Sequence, residues 1–153
     1  MVSPRESHDG RSVFEAHERS FENNRYVYPV VSRRARGISI GVNLSTSKHC
    51  NFHCAYCQVD RTGTRPGEME VVDLARLREE LERTIEVVLS GRIYETSRFR
   101  RTPEPLRRLS DVALSGDGEP TLHVDFGKAV ATCADVLRRR GLRGVKLVLL
   151  TNA

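Results

Sequence analysis

Apolar positions along this chain change their spacing several times, and each change marks an element. In residues 37–44, GISIGVNL, β-branched residues alternate with small ones beside glycine, which predicts a strand. The short apolar runs DVALS (residues 111–115) and VKLVLLTNA (residues 145–153) predict two further buried strands. Between these runs the spacing lengthens to that of a helix. Leu74, Leu77, Leu81, Ile85 and Val88 step by three and four and form one stripe, with Asp73 placed as N-cap and Gly91 at the C-terminal end. A second helix is expected over residues 126–140, with Phe126, Val130, Cys133, Ala134 and Leu137 as its apolar face and Gly141 ending it.

The order is strand, long loop, helix, strand, helix, strand. Alternation of this kind predicts an α/β fold built of βαβ units around a parallel sheet. In such sheets ligands gather at the carboxyl ends of the strands. Three unusual segments fall there: a cysteine-rich loop after the first strand, GDGEP after the second and TNA after the third. The first of these loops is too long for an ordinary connection, and loops of that length are usually functional or disordered. Residues 1–25 are polar and are expected to form a flexible N-terminal segment, with a short helix near residues 13–21. Residues 26–153 are expected to form the core domain. The sequence ends as its third strand finishes, with no helix to cover it, so the chain is expected to be the N-terminal part of a longer protein, truncated after that strand.

Composition narrows the setting. At 39% apolar and 29% charged residues the 153-residue chain is an ordinary globular sequence, long enough for one core. No apolar run reaches the roughly 18–20 residues of a membrane span, and the polar N-terminus lacks the apolar stretch of a secretory signal. A cytoplasmic location without membrane partners is expected, where thiols stay reduced. The net charge is +5, and among 25 basic residues only Lys48, Lys128 and Lys146 are lysine. Arginine binds phosphate in a bidentate manner, so this surface is compatible with nucleic acid, but a GC-rich genome and a solvated basic face are the favoured explanation of the charge.

The chemistry concentrates in HCNFHCAYC, which carries three of the four cysteines as C-x3-C-x2-C at Cys50, Cys54 and Cys57. Thiolates select zinc, copper(I) or iron–sulfur clusters. A 4Fe–4S cluster normally takes four cysteines, so three on one loop leave one iron open to a small molecule. A zinc site recruiting His49, His53 or Cys133 is the alternative, although the spacing matches none of the usual paired C-x2-C ribbons. Cys133 lies on the apolar stripe of the second helix, where an inert buried thiol is expected. In SGDGEPT, Gly116 and Gly118 permit close approach of a ligand to the backbone, and Glu119 is an acceptor suited to an ammonium group.

Together these segments resemble the radical S-adenosylmethionine (radical SAM) superfamily. The resemblance implies a partial (β/α)6 barrel, of which this chain would supply three strands and two helices. It implies a 4Fe–4S cluster on Cys50, Cys54 and Cys57, with SAM chelating the fourth iron and Tyr56 near its adenine. One-electron cleavage of SAM would then give methionine and a 5′-deoxyadenosyl radical that abstracts hydrogen from a substrate. SGDGEPT resembles the GGE motif that binds the SAM amino group, which assigns Gly118 and Glu119 to that role and adds Ser115 and Gly116 to the pocket. Asp117 departs from the motif, standing where its second glycine would be. TNA resembles the TNG of the third strand, which turns Thr151 and Asn152 toward SAM. A reductant such as flavodoxin or ferredoxin is implied as partner.

A narrower resemblance runs from YPVVSRRARG through LSGDGEPTLH to LLTNA, covering roughly residues 26–153. It is to the radical SAM proteins related to wyosine-type tRNA modification enzymes, and it makes tRNA or another nucleic acid a candidate substrate. Ser32, Arg33 and Arg34 belong to this block and either order the entrance to the first strand or touch an anionic group, or form a solvent-facing basic cluster, the two readings standing even. A non-catalytic zinc or electron-transfer module is the competing function class.

Overall fold

The computed structural model describes residues 21–55, 57, 59–60 and 71–152. Four strands form one sheet in the order β1 (Val27–Ser32), β2 (Gly37–Val42), β3 (Leu109–Leu114) and β4 (Lys146–Leu149). Helices α1 (Leu74–Leu89) and α2 (Phe126–Arg139) connect β2 to β3 and β3 to β4. These last three strands pair in parallel and the order moves one way along the sheet, as the alternation of elements predicts.

The sheet is nevertheless not wholly parallel. VYPVVS, assigned to no element above, forms β1 and pairs antiparallel with β2 from Val27 opposite Val42 to Ser32 opposite Gly37. Pro29 lies in the middle of this strand and hides it in the sequence, yet β1 is an edge strand, where a residue without an N–H is tolerated. The hairpin turn holds Arg33 and Arg34 exposed, with Ser32 Oγ accepting from the Ala35 N–H at 3.1 Å and Arg36 at φ 54°.

The alternation in GISIGV divides β2 between two faces. Ile38, Ile40 and Val42 are fully buried in the core with Val112, Leu77, Leu81 and Ile85. Ser39 and Gly41 instead line a cavity of about 300 Å³ together with Tyr28, Val30 and Ala113. The Tyr28 ring stands so close over Gly41 that a Cβ there would meet its Cζ at 2.3 Å.

Helix α1 starts as expected, with the Asp73 carboxylate accepting from the Arg76 N–H at 3.0 Å, and Gly91 follows its end at φ 80°. Helix α2 is rotated from the expected face. Ala129, Cys133, Val136 and Leu137 are buried, Phe126 and Val130 are half-buried, and Ala134 faces solvent. The buried sides of both helices mix polar with apolar residues, Glu80 and Thr84 on α1 and Thr132 on α2. Of the polar N-terminal segment, residues 21–25 are described: Phe21 joins the core and Asn24 Nδ2 donates to Val27 O at 2.9 Å. The helix expected near residues 13–21 lies outside the described residues, Phe21 excepted. Among the described residues no helix is long and apolar enough to cross a membrane.

Candidate functional site

The ends of β2, β3 and β4 meet, and hydrogen bonds join the segments that follow them. After β2, Asn43 and Ser45 are buried and lead into the cysteine loop. A turn closes there through Lys48 N–H to Ser45 O at 2.8 Å, and Lys48 Nζ reaches across to Asp60 O at 2.7 Å. Cys50 and Cys54 are half-buried and Cys57 is exposed, none of them in a disulfide. The Cys57 N–H donates to Cys54 O at 3.0 Å. Among the described residues no three Cys, His, Asp or Glu side chains converge as a metal-holding group, and of the loop's thiols Cys50 has Asn152, after β4, within 3.8 Å. Its donor set still fits a thiophilic cofactor, being three thiols on one loop, none of them in a disulfide. Tyr56 lies outside the described residues.

The glycine turn continues β3. Ser115 N–H bonds Val42 O at 3.0 Å, and Tyr28 Oη lies 3.2 Å from Ser115 Oγ. Gly116 and Gly118 are there because the cysteine-loop stem presses on both. A Cβ at Gly116 would stand 2.1 Å from Asn43 Oδ1, and one at Gly118 would stand 1.8 Å from His49 O. The Glu119 N–H donates to that same His49 carbonyl at 3.3 Å.

Glu119 gathers the third segment. Its Oε1 accepts from Thr121 N–H at 3.1 Å, Thr121 Oγ1 at 2.6 Å and Thr151 Oγ1 at 2.8 Å, and its Oε2 accepts from Asn152 N–H at 2.9 Å. Burial pushes its pKa up, but the bonds from Thr121, Asn152 and Thr151 outweigh this and hold the carboxyl below its ordinary range. Asn152 Nδ2 turns the other way, 3.8 Å from Cys50 Sγ and 3.3 Å from Asn51 Oδ1. Asn152 thus touches both the cysteine loop and Glu119.

The remaining candidates separate from this group. Cys133 is fully buried in α2 and burial pushes its thiol up to about 12, the state of an inert core cysteine. His49 contributes its backbone carbonyl to the site, while His53 is exposed. Arg34 lines the cavity with Ser32, Ser115, Gly116 and Gly118. Two residues of the site were not singled out by sequence, Asn43 and Tyr28. Asn43 had a signal, since it is the first polar residue at the carboxyl end of a strand. Tyr28 had none, because its strand was not foreseen.

The chain spans about a third of the length of the curated relatives it matches. A UPF0026 protein of Helicobacter pylori is 31% identical over 126 residues, 81% of this chain and 33% of the relative. The UPF0026 protein MJ1312 of Methanocaldococcus jannaschii is 30% identical over 131 residues, 82% of this chain and 32% of the relative. No solved structure matches significantly. The family model described as Radical SAM superfamily matches residues 44–153, which takes in the cysteine loop, the glycine turn and Thr151–Asn152. With those three segments also joined at one end of the sheet, the chain belongs to the radical SAM superfamily.

Proposed function

We propose that residues 26–153 are the N-terminal portion of a radical SAM core, a partial (β/α)6 barrel to which they contribute three parallel strands and two helices. In this reading Cys50, Cys54 and Cys57 hold a 4Fe–4S cluster, and Gly116, Gly118, Glu119, Thr151 and Asn152 line the SAM site with Tyr56. When bound, the cluster and SAM supply one-electron cleavage of SAM and a 5′-deoxyadenosyl radical for hydrogen abstraction. The chain's own residues bind and orient. Glu119 is suited to the SAM ammonium because its Oε2 accepts one bond from the described residues and keeps a lone pair. Its depressed pKa keeps it anionic at neutral pH. Gly116 and Gly118 leave the turn's backbone open to close approach.

The observation that carries this reading is the family match across residues 44–153, whose three motif segments are cross-linked in space by Glu119 and Asn152. Anaerobic reconstitution tests it. The expected result is iron and sulfide in 4Fe–4S proportion, a spectrum that changes on adding SAM, and loss of the cluster in Cys54→Ala. Stoichiometric zinc with no SAM effect overturns the reading in favour of a metal-binding module.

The substrate reading favoured by the wyosine-type resemblance is an RNA base. Exposed Arg33 and Arg34 at the hairpin tip, beside a cavity that Arg34 lines, support it. Cross-linking to tRNA at low salt is the check, and no cross-link under those conditions removes this branch. Four cysteines outside any disulfide accord with a reducing cytoplasm, and a flavodoxin or ferredoxin is the class of reductant proposed.

A further inference from the structure

Asn43 directly follows β2, and its side chain ties the stem of the cysteine loop to the glycine turn. Its Oδ1 accepts from the Ser45 N–H at 3.1 Å and from the Asp117 N–H at 3.2 Å. Its Nδ2 donates to Asp117 Oδ2 at 2.7 Å. The side chain is buried, and the absence of a Cβ at Gly116 makes room for it. Asparagine offers an acceptor and a donor from one short planar group, and this arrangement uses both, two bonds to Oδ1 and one from Nδ2. Aspartate at position 43 would still accept both N–H groups but would face a second carboxylate. Leucine, of similar size, would leave two N–H donors and the Asp117 carboxylate without these partners.

A second tie lies two residues farther along the turn. His49 O presses on Gly118 and accepts from the Glu119 N–H. The turn that carries Glu119 is therefore fixed at two points to the loop that carries Cys50. One of those points depends on Asp117, the residue that departs from the GGE pattern.

We propose, resting on the radical SAM reading above, that Asn43 and Asp117 form a positioning latch that sets the SAM-binding turn against the cluster loop. SAM spans the two segments in that reading, meeting the cluster from one and Glu119 from the other. Their relative placement then governs SAM affinity, whereas the three cysteines share one loop and need no latch to bind iron. Asp117 stands in place of glycine because it is the second half of the latch.

A reversal of the pair tests this. Asn43→Asp sets two carboxylates together, and the double variant Asn43→Asp/Asp117→Asn restores a donor–acceptor pair in the opposite sense. Each protein is reconstituted anaerobically, its iron content and Tm are measured, and its SAM Kd is read from the SAM-induced change in the EPR spectrum of the reduced cluster. The expected result is unchanged iron content throughout and a SAM Kd raised about tenfold or more in Asn43→Asp, since small misplacements of a binding group are costly. In the double variant the Kd returns to within about threefold of the wild-type value as the pair reforms. A Kd unmoved in Asn43→Asp, or unrecovered in the double variant, overturns the latch. So does a fall in iron content and Tm together with a normal Kd in the loaded fraction, the signature of a purely structural role. If Asn43→Asp fails to fold, Asp117→Ala removes the same side-chain bond from the half-buried side and is read by the same criteria. Failure of the underlying reading looks different: wild-type protein that takes up the cluster but shows no response to SAM overturns the proposed function, and the latch with it.

Discussion

Glu80 on α1 and Glu119 after β3 are both buried carboxylates, 2% and 4% exposed. Each collects four hydrogen bonds, but the two distribute them differently. Glu80 accepts two on each oxygen: from Arg25 N–H and Arg76 Nε on Oε1, and from Tyr26 and Val27 N–H on Oε2. Glu119 takes three on Oε1 and one on Oε2. In both, burial pushes the pKa up and hydrogen bonding wins, so both sit below the ordinary carboxylate value. Burial and depressed acidity therefore do not separate a structural carboxylate from one proposed to bind a ligand. What separates them is the spare lone pair of Glu119 and its place at the strand ends, against a saturated Glu80 that pins α1 to the start of β1.

The strongest way to break this contrast is to truncate the saturated group. Glu80→Ala leaves the N–H groups of Arg25, Tyr26 and Val27 without their acceptor, each costing about 1–3 kcal/mol when buried and unpaired. A loss of about 3–5 kcal/mol in unfolding free energy is expected from urea titration, with SAM affinity of the folded fraction unchanged. A loss below about 1 kcal/mol would mean that water replaces the carboxylate and that Glu80 ties nothing.

Glu119→Gln asks the converse question. Glutamine keeps the shape and the Oε1 acceptor, but its amide turns an N–H toward Asn152 N–H and toward any ammonium. SAM affinity is expected to fall about tenfold to a hundredfold, equal to about 1.4–2.7 kcal/mol, while stability falls by less. Spectroscopic titration of the reconstituted cluster with SAM measures it. An unchanged SAM Kd with a large loss of stability would make Glu119 a second Glu80.

The two glutamates also show how far the sequence speaks. Glu119 stood out as a candidate because glycines and a proline bracket it after an apolar run, and the cysteines through their spacing, but the bonds from Thr151 and Asn152 come from more than thirty positions away. Glu80 was not, since it sits among polar residues of α1 and its acceptor role depends on the backbone of residues 25–27, more than fifty positions away. The same holds for β1, concealed by Pro29 and defined only by its register with β2. Asn43, expected at the end of a strand, and Asp117, a departure from the glycine motif, lie 74 residues apart, and nothing local links the two until the fold brings them together. Parallel order and the end of the sheet that carries the chemistry follow from alternation of elements. Antiparallel edges and long-range polar ties are set by tertiary contacts that no local pattern encodes.

Acid titration gives a smaller, graded signal from both groups. A carboxylate with a lowered folded-state pKa stabilises the fold above its unfolded value of 4.5 and loses that contribution as pH falls through the folded value. Asp135, held down to about 2 by Arg78, Arg139 and Arg138, adds to the same trend from 3.8 downward. Urea midpoints are therefore expected to fall as pH drops below 4.5 in the wild-type protein, and to fall less steeply in Glu80→Gln. Parallel slopes in the two proteins would show that Glu80 has no lowered pKa.

The finest probe removes only the charged partner of Glu80. Arg76 Nε donates to Oε1 at 2.8 Å, but the arginine side chain is 45% exposed, so its charge is largely screened by water. Arg76→Gln is expected to cost only about 0.5–1 kcal/mol, the range of a half-exposed ion pair, with SAM affinity unmoved. The three backbone N–H groups would remain and would still hold the carboxylate in place. If urea titration instead shows a loss as large as that of Glu80→Ala, the ion pair and not the backbone ties α1 to β1. Glu80 would then be an ion-pair residue, and the matched bonding that makes it the counterpart of Glu119 would no longer explain its burial.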